Sequence, residues 1–158
     1  PRLLGTAGAV KRVLSFLDET FFVLYGDAYL PCDYRAVYAA FDKGGKPALM
    51  TVFRNGGRWD RSNVRFVDGE ILAYDKQYPT ELMHHIDYGL GVFRRSAFEM
   101  VPDDQAFDLV TLYRELLSRG HLAAHEVKQR FYEIGSLAGL EETRRYLATQ
   151  AHSPRSTR

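Results

Sequence analysis

Two uninterrupted apolar runs, residues 21–25 (FFVLY) and 47–53 (PALMTVF), bracket a segment with helical spacing. No other feature limits the fold as much. A run without polar alternation has no face to give to water, so each reads as a strand covered on both sides, the pattern of parallel sheets flanked by helices. Between them Asp33 is placed to cap a helix whose apolar side carries Val37, Ala40 and Phe41, with Gly44 placed to end it. Strand, helix and strand at these separations form a βαβ unit with a right-handed crossover.

The flanking sequence extends this core. Val10, Val13, Leu14 and Leu17 follow the i, i+3, i+4, i+7 rule and predict a helix starting near Thr6 or Ala7. Residues 64–67 and 71–74 flank Asp68-Gly69, a strong short-range hairpin signal. Residues 84–95 read as another strand. Leu109, Leu112, Tyr113, Leu116 and Leu117 mark an amphipathic helix that Gly120 terminates. Short strands follow near 121–127 and 130–134, and Ser136 is placed to cap a last helix through Leu137, Leu140 and Leu147. The fold class is α/β: a Rossmann-like, mainly parallel sheet flanked by helices, with an antiparallel hairpin excursion. One domain over 1–149 is expected, followed by a disordered tail over 150–158.

Bulk properties narrow the partners. Lys and Arg total 21 against 20 Asp and Glu, a formal net charge of +1, so no global field recommends a nucleic acid or a membrane. The single cysteine, Cys32, cannot form an internal disulfide, and no apolar stretch reaches the roughly 18 residues of a membrane span. A cytoplasmic setting is the expectation.

In open α/β sheets, ligands bind beyond the carboxyl ends of the strands. Asp27 stands there, after Gly26, although an Asp at a strand end also serves as a turn or cap residue. Glu133 lies in the apolar strand FYEIG, where a charge is costly unless paired or bound to a cation. A hard metal ion shared with Asp27 is one solution, and an ion pair with Arg130 is another. Lys76 follows the hairpin and offers a point charge to a phosphate, or is an ordinary surface lysine. Gly5, Thr6, Ala7 and Gly8 open a helix with small residues that let a flat ring or a phosphate approach the backbone, but they form neither GxGxxG nor a P-loop.

Other chemistry is disfavoured. His84 and His85 are adjacent on a strand and point to opposite faces. His121 and His125 lack the glutamate of a zinc helix. There is no GxSxG, and Cys32 has no recognisable histidine partner, so a nucleophilic side chain is unsupported.

In order, the segments LGTAGAV (4–10), FFVLYGDAYL (21–30), VDGEILAYDK (67–76), IDYGLGVFRRS (86–96) and FYEIGSLAGL (131–140) resemble the sugar-1-phosphate nucleotidyltransferases, over about residues 4–147. The resemblance implies the nucleotide-diphospho-sugar transferase fold. It also implies transfer of a nucleotidyl group from an NTP to a sugar 1-phosphate, giving an NDP-sugar and pyrophosphate, with Mg²⁺ as cofactor. By the same resemblance Gly5, Thr6 and Ala7 line the nucleotide base pocket, and Asp27 and Glu133 hold the metal. Asp75 stands near the sugar, Lys76 meets the sugar phosphate, and Asp87 and Gly89 touch the sugar. Catalysis would then rest on Lys76 and Asp27.

Departures from the family pattern are Gln77 for a proline, Asp87 for an asparagine, and Glu133 for an aspartate. Nothing precedes LGTAGA that corresponds to the family's glycine-rich triphosphate loop, and the chain begins at Pro1 rather than Met. The expectation is an N-terminally incomplete domain, weak or inactive alone, that exposes an apolar sheet edge and is prone to form homo-oligomers. An alternative is a non-catalytic nucleotide-sugar binding or regulatory module. A nucleotide-sugar-dependent glycosyltransferase is a weaker reading, because no DxD pair occurs.

Overall fold

The computed structural model describes residues 3–151. In chain order the elements are α1 (Gly5–Arg12), β1 (Thr20–Leu24), β2 (Ala28–Tyr29), α2 (Tyr34–Gly44), β3 (Ala48–Arg54), β4 (Val64–Val67), β5 (Glu70–Tyr74), β6 (His85–Arg94), α3 (Leu109–Ser118), β7 (Leu122–Val127), β8 (Tyr132–Glu133) and α4 (Leu137–Ala151). Strands β5-β4-β6-β3-β7 lie in that order in one sheet, and β1 also pairs with β6. The architecture is mixed α/β, as the sequence predicts.

Strand direction and strand pairing differ. β1, β3, β4 and β7 point the same way, so most strands of the sheet are parallel in direction. The hydrogen-bonded ladders are nevertheless mostly antiparallel, because β6 runs the other way between its neighbours. β3 pairs along β6 from Ala48↔Phe93 to Arg54↔His85, β1 takes the C-terminal half from Thr20↔Arg94 to Leu24↔Leu90, and β4 meets the other end at Val64↔His85. β3 and β7 form the parallel ladder. β1 and β3, joined by α2, are thus split by the inserted β6.

Both faces of the sheet are covered at β3, which is why it carries no solvent alternation, whereas β1, expected to be covered on both sides, leaves Phe22 and Leu24 exposed on one face. Ala48, Met50 and Val52 point into a core with Ala7 of α1 and Leu109, Leu112, Tyr113 and Leu116 of α3. Leu49 and Phe53 point into a second core with Val37 and Phe41 of α2. Thr51, buried on this strand, donates its hydroxyl to the Leu90 carbonyl at 2.5 Å.

Three local expectations are corrected. The first helix ends at Arg12 instead of running through Leu17, and a 3₁₀ turn, Leu14–Phe16, follows. Here Arg95 holds the chain to the sheet, its backbone N–H donating to Glu19 and its guanidinium to the Leu17 carbonyl, which overrides the helical period. α2 includes Gly44, and its left-handed cap is Gly45 at φ +62°. A small second sheet, β2 with β8, has no signal in local sequence because it joins distant two-residue segments. Of the tail expected from residue 150, the first two residues belong to α4 and 152–158 lie outside the described residues.

Candidate functional site

β1 ends at Leu24, and Tyr25 crosses close to β6, donating its backbone N–H to the Gly89 carbonyl at 3.2 Å. Gly89 has φ +91°, and a Cβ there would stand 3.1 Å from the Tyr25 ring. Glycine is therefore required twice over, by conformation and by space. Next on the same face, a Cβ at Gly91 would collide with the Tyr113 hydroxyl. Small residues on β6 thus open a hollow against α3 and the end of β1.

Beside that hollow lies a cavity of about 280 Å³ bounded by Asp27, Lys76, Asp87, Gly89 and Glu133. These five residues, brought together from four separate segments of the chain, were all expected at the site. The remaining expected residues are elsewhere. Gly5, Thr6 and Ala7 begin α1, where Thr6 is tied to the start of α3: the Thr6 N–H donates to Asp108 Oδ1 at 3.2 Å and the Leu109 N–H to Thr6 Oγ1 at 2.7 Å. Asp75 gives its Oδ1 to the N–H groups of Gln77 (2.8 Å) and Tyr78 (2.9 Å) and sits 4.0 Å from Arg114. The Tyr78 and Gln77 amides hold its carboxyl below the usual carboxylate range. It shapes the turn that presents Lys76.

Asp87 is the deepest charge. Its side chain is 2 % exposed, whereas that of Lys76 is 36 % exposed. Asp87 Oδ2 accepts from the Tyr74 hydroxyl at 3.0 Å and lies 3.2 Å from Lys76 Nζ, while Oδ1 accepts from the Gly89 N–H at 3.0 Å. Asn63 accepts the Asp87 N–H at 3.0 Å. Lys76 Nζ also stands 5.1 Å from the centre of the Tyr25 ring. Burial pulls the Lys76 pKa down, but the Asp87 carboxylate and Tyr25 outweigh it and the net shift is upward, so the amine is a cation at neutral pH. Tyr74 is pushed well up by burial and by Asp87.

Asp27 and Glu133 approach through the small sheet. Ala28 is paired with Glu133, and the Ile134 N–H donates to the Asp27 carbonyl at 2.9 Å. Both residues are exposed, and Asp27 Oδ2 would lie 3.2 Å from a Cβ on Gly135. The ion pair considered between Glu133 and Arg130 is replaced by a bidentate pair between Arg130 and Glu142, at 2.7 and 2.5 Å. Glu133 keeps a 3.5 Å bond from the Ser136 hydroxyl. Among the described residues no group of three or more His, Cys, Asp or Glu converges as a metal cage. Two exposed carboxylates on one cavity suit a hard cation that keeps water and takes phosphate oxygens, rather than an all-protein cage.

Sequence reasoning missed Tyr25, Asp60, Asn63, Tyr88 and Phe131, which also bound the cavity. A signal existed for two of them: Asp60 and Asn63 lie on a polar loop that opens with Gly56-Gly57 between two strands. Loops so placed often serve a site.

No family model matches the sequence. The UTP–glucose-1-phosphate uridylyltransferase of Synechocystis sp. is 29 % identical over 116 residues, which are 68 % of this chain and 30 % of that protein. Among solved structures, a Bacillus anthracis protein named for glucose-1-phosphate thymidylyltransferase activity superposes with a TM-score of 0.77 at 16 % identity, covering 99 % of this chain and 65 % of that one. The inositol-1-phosphate CTP transferase of T. maritima gives 0.72 at 18 % identity, covering 98 % and 65 %. The chain spans under a third of the curated relative and about two thirds of these solved chains. No helix among the described residues is long and apolar enough to cross a membrane. In sequence this chain resembles the sugar-1-phosphate nucleotidyltransferases, and its fold is the one their solved structures share.

Proposed function

We propose that this chain supplies the sugar-phosphate and metal side of a nucleotidyl-transfer site, working in the cytoplasm on an NTP and a sugar 1-phosphate. The observation that carries the reading is the convergence of Lys76, Asp27 and Glu133 on one cavity in this fold. In the reaction an oxygen of the sugar phosphate forms a bond to the α-phosphorus of the NTP. The bond from that phosphorus to the bridging oxygen breaks, and pyrophosphate leaves. The attacking oxygen is already ionised at neutral pH, so positioning and charge neutralisation are needed more than a general base.

Lys76 binds and orients the attacking phosphate, and the turn built on Asp75 carries its backbone past the end of β5. Asp27 and Glu133 would hold Mg²⁺, which when bound offsets charge on the phosphates and the departing pyrophosphate. Gly5 and Thr6 are proposed to face the nucleotide base, which Ala7, buried in the core, does not reach, and Gly89 to let the sugar approach the backbone.

Titration of the chain with Mg²⁺, read by thermal unfolding, tests the metal side. Mg²⁺ at 100 times its dissociation constant should stabilise the fold by about 2.7 kcal/mol. Asp27→Ala and Glu133→Ala should abolish that gain, and a gain that survives both changes would refute the assignment. Calorimetry with a nucleotide sugar and Mg²⁺ tests binding, and pyrophosphate release from mixtures of NTPs and sugar phosphates tests turnover. The limited span of the chain on its relatives leaves room for the binding-module reading. Binding without turnover that persists in a chain extended at its N-terminus by the family's triphosphate loop would support that reading.

A further inference from the structure

The buried carboxylate of Asp87 sits beneath the cation assigned to the sugar phosphate, and every part of its surroundings is already engaged. Tyr74 and Lys76 occupy Oδ2, Gly89 occupies Oδ1, and Asn63 fixes its backbone N–H. At 2 % exposure its side chain presents almost no surface to a sugar hydroxyl, whereas Lys76, 36 % exposed, opens onto the cavity. We propose that Asp87 is the positioning residue for Lys76, holding the ammonium at the cavity floor as a fixed cation instead of touching the sugar. The inference deepens the proposed function and rests on it for the identity of the ligand.

Three observations support it. A lysine has a long flexible stem, and Lys76 follows a turn rather than lying within a strand, so its own backbone does not settle where Nζ points. Asp87 on one side and the Tyr25 ring on the other do settle it. Gly89 is tied to the same device, because its positive φ accompanies the N–H donated to Asp87 Oδ1. The titratable groups around the pair are Tyr25 after β1, Tyr74 on β5 and Tyr113 on α3, with Asp27, Asp60 and Glu133 on the same cavity. Among the described residues Asp87 is the carboxylate within ion-pair distance of Lys76, against the burial that would otherwise favour the uncharged amine.

The experiment has two arms. In the first, the side-chain ammonium of Lys76 is titrated by ¹⁵N NMR in the unliganded chain, assigned with Lys76→Arg. In the unaltered chain it should titrate above an ordinary lysine, and in Asp87→Asn lower by about one pH unit or more. Asp103→Asn, which removes an exposed carboxylate outside the cavity, should leave it where it was. An unaltered Lys76 that titrates at or below the ordinary value, or no change on Asp87→Asn, overturns the proposal. The titration of the unaltered chain decides the point even if the variant fails to fold, and neither result depends on catalysis.

In the second arm, calorimetry compares glucose 1-phosphate and glucose as probes at pH 7.5 and 9.5, with Mg²⁺. Asp87→Asn should weaken the phosphate probe about tenfold or more, with the greater loss at pH 9.5, and leave glucose unchanged. Equal weakening of both probes would mean that Asp87 touches the sugar and would sink the idea. If neither probe binds the unaltered chain, the proposed function fails on that probe, while the first arm still decides the role of Asp87.

Discussion

At the scale of single residues, Gly89 shows how little freedom the site has. Its φ of +91° is strained for any side chain, and the Tyr25 ring fills the space where a Cβ would go. Gly89→Ala should therefore cost about 1–3 kcal/mol in urea unfolding and push Tyr25 away from Lys76. Wild-type stability in that variant would show that β6 absorbs the change. Asp27, Lys76 and Glu133 each stand as a charge beside an apolar strand end, but local pattern left each with a bland alternative, and only the family resemblance grouped them in one site. The partners of Asp87 were not legible. Its burial depends on Tyr74, Lys76 and Asn63 arriving from other strands and loops, and no spacing within IDYGLG encodes them.

At the scale of elements, Arg130 joins three pieces of the fold. Its guanidinium lies 4.3 Å from the Trp59 ring centre and 4.9 Å from that of Tyr132, while Glu142 of α4 takes both of its NH groups. The loop after β3, strand β8 and helix α4 are thus fastened beside Glu133. Arg130→Met should destabilise the protein by about 1–2 kcal/mol. It should also change the emission of Trp59, which is the one tryptophan of the sequence. An unchanged spectrum would mean that the loop holds itself. Elements encoded by near neighbours were readable: the Asp33 cap bonds Arg35 and Ala36, and Asp68 (φ +50°) with Gly69 (φ +88°) make the expected turn. The early end of α1 and the β2–β8 pair were not, because Arg95 and residues far along the chain decide them.

At the scale of the molecule, the sheet is unevenly finished. Among the described residues β1 pairs only with β6, so its other edge is unpaired, and one face of the strand carries Phe22 at 37 % and Leu24 at 48 % exposure. An apolar strand with free backbone groups is a template for pairing. The chain alone should associate in a concentration-dependent way in analytical ultracentrifugation, and Leu24→Lys should reduce that association with little loss of stability. A strict monomer at all concentrations would exclude the edge as a sticky surface.

The place of β6 also bears on how the fold is reached. β1 and β3 meet no common partner until Arg94 has been made, long after Thr20. At roughly 5–20 residues per second on the ribosome, the nascent chain carries two greasy ribbons for several seconds before either can be zipped in. Such a chain is open to aggregation during translation, and a pause placed before codon 94 should lower its yield.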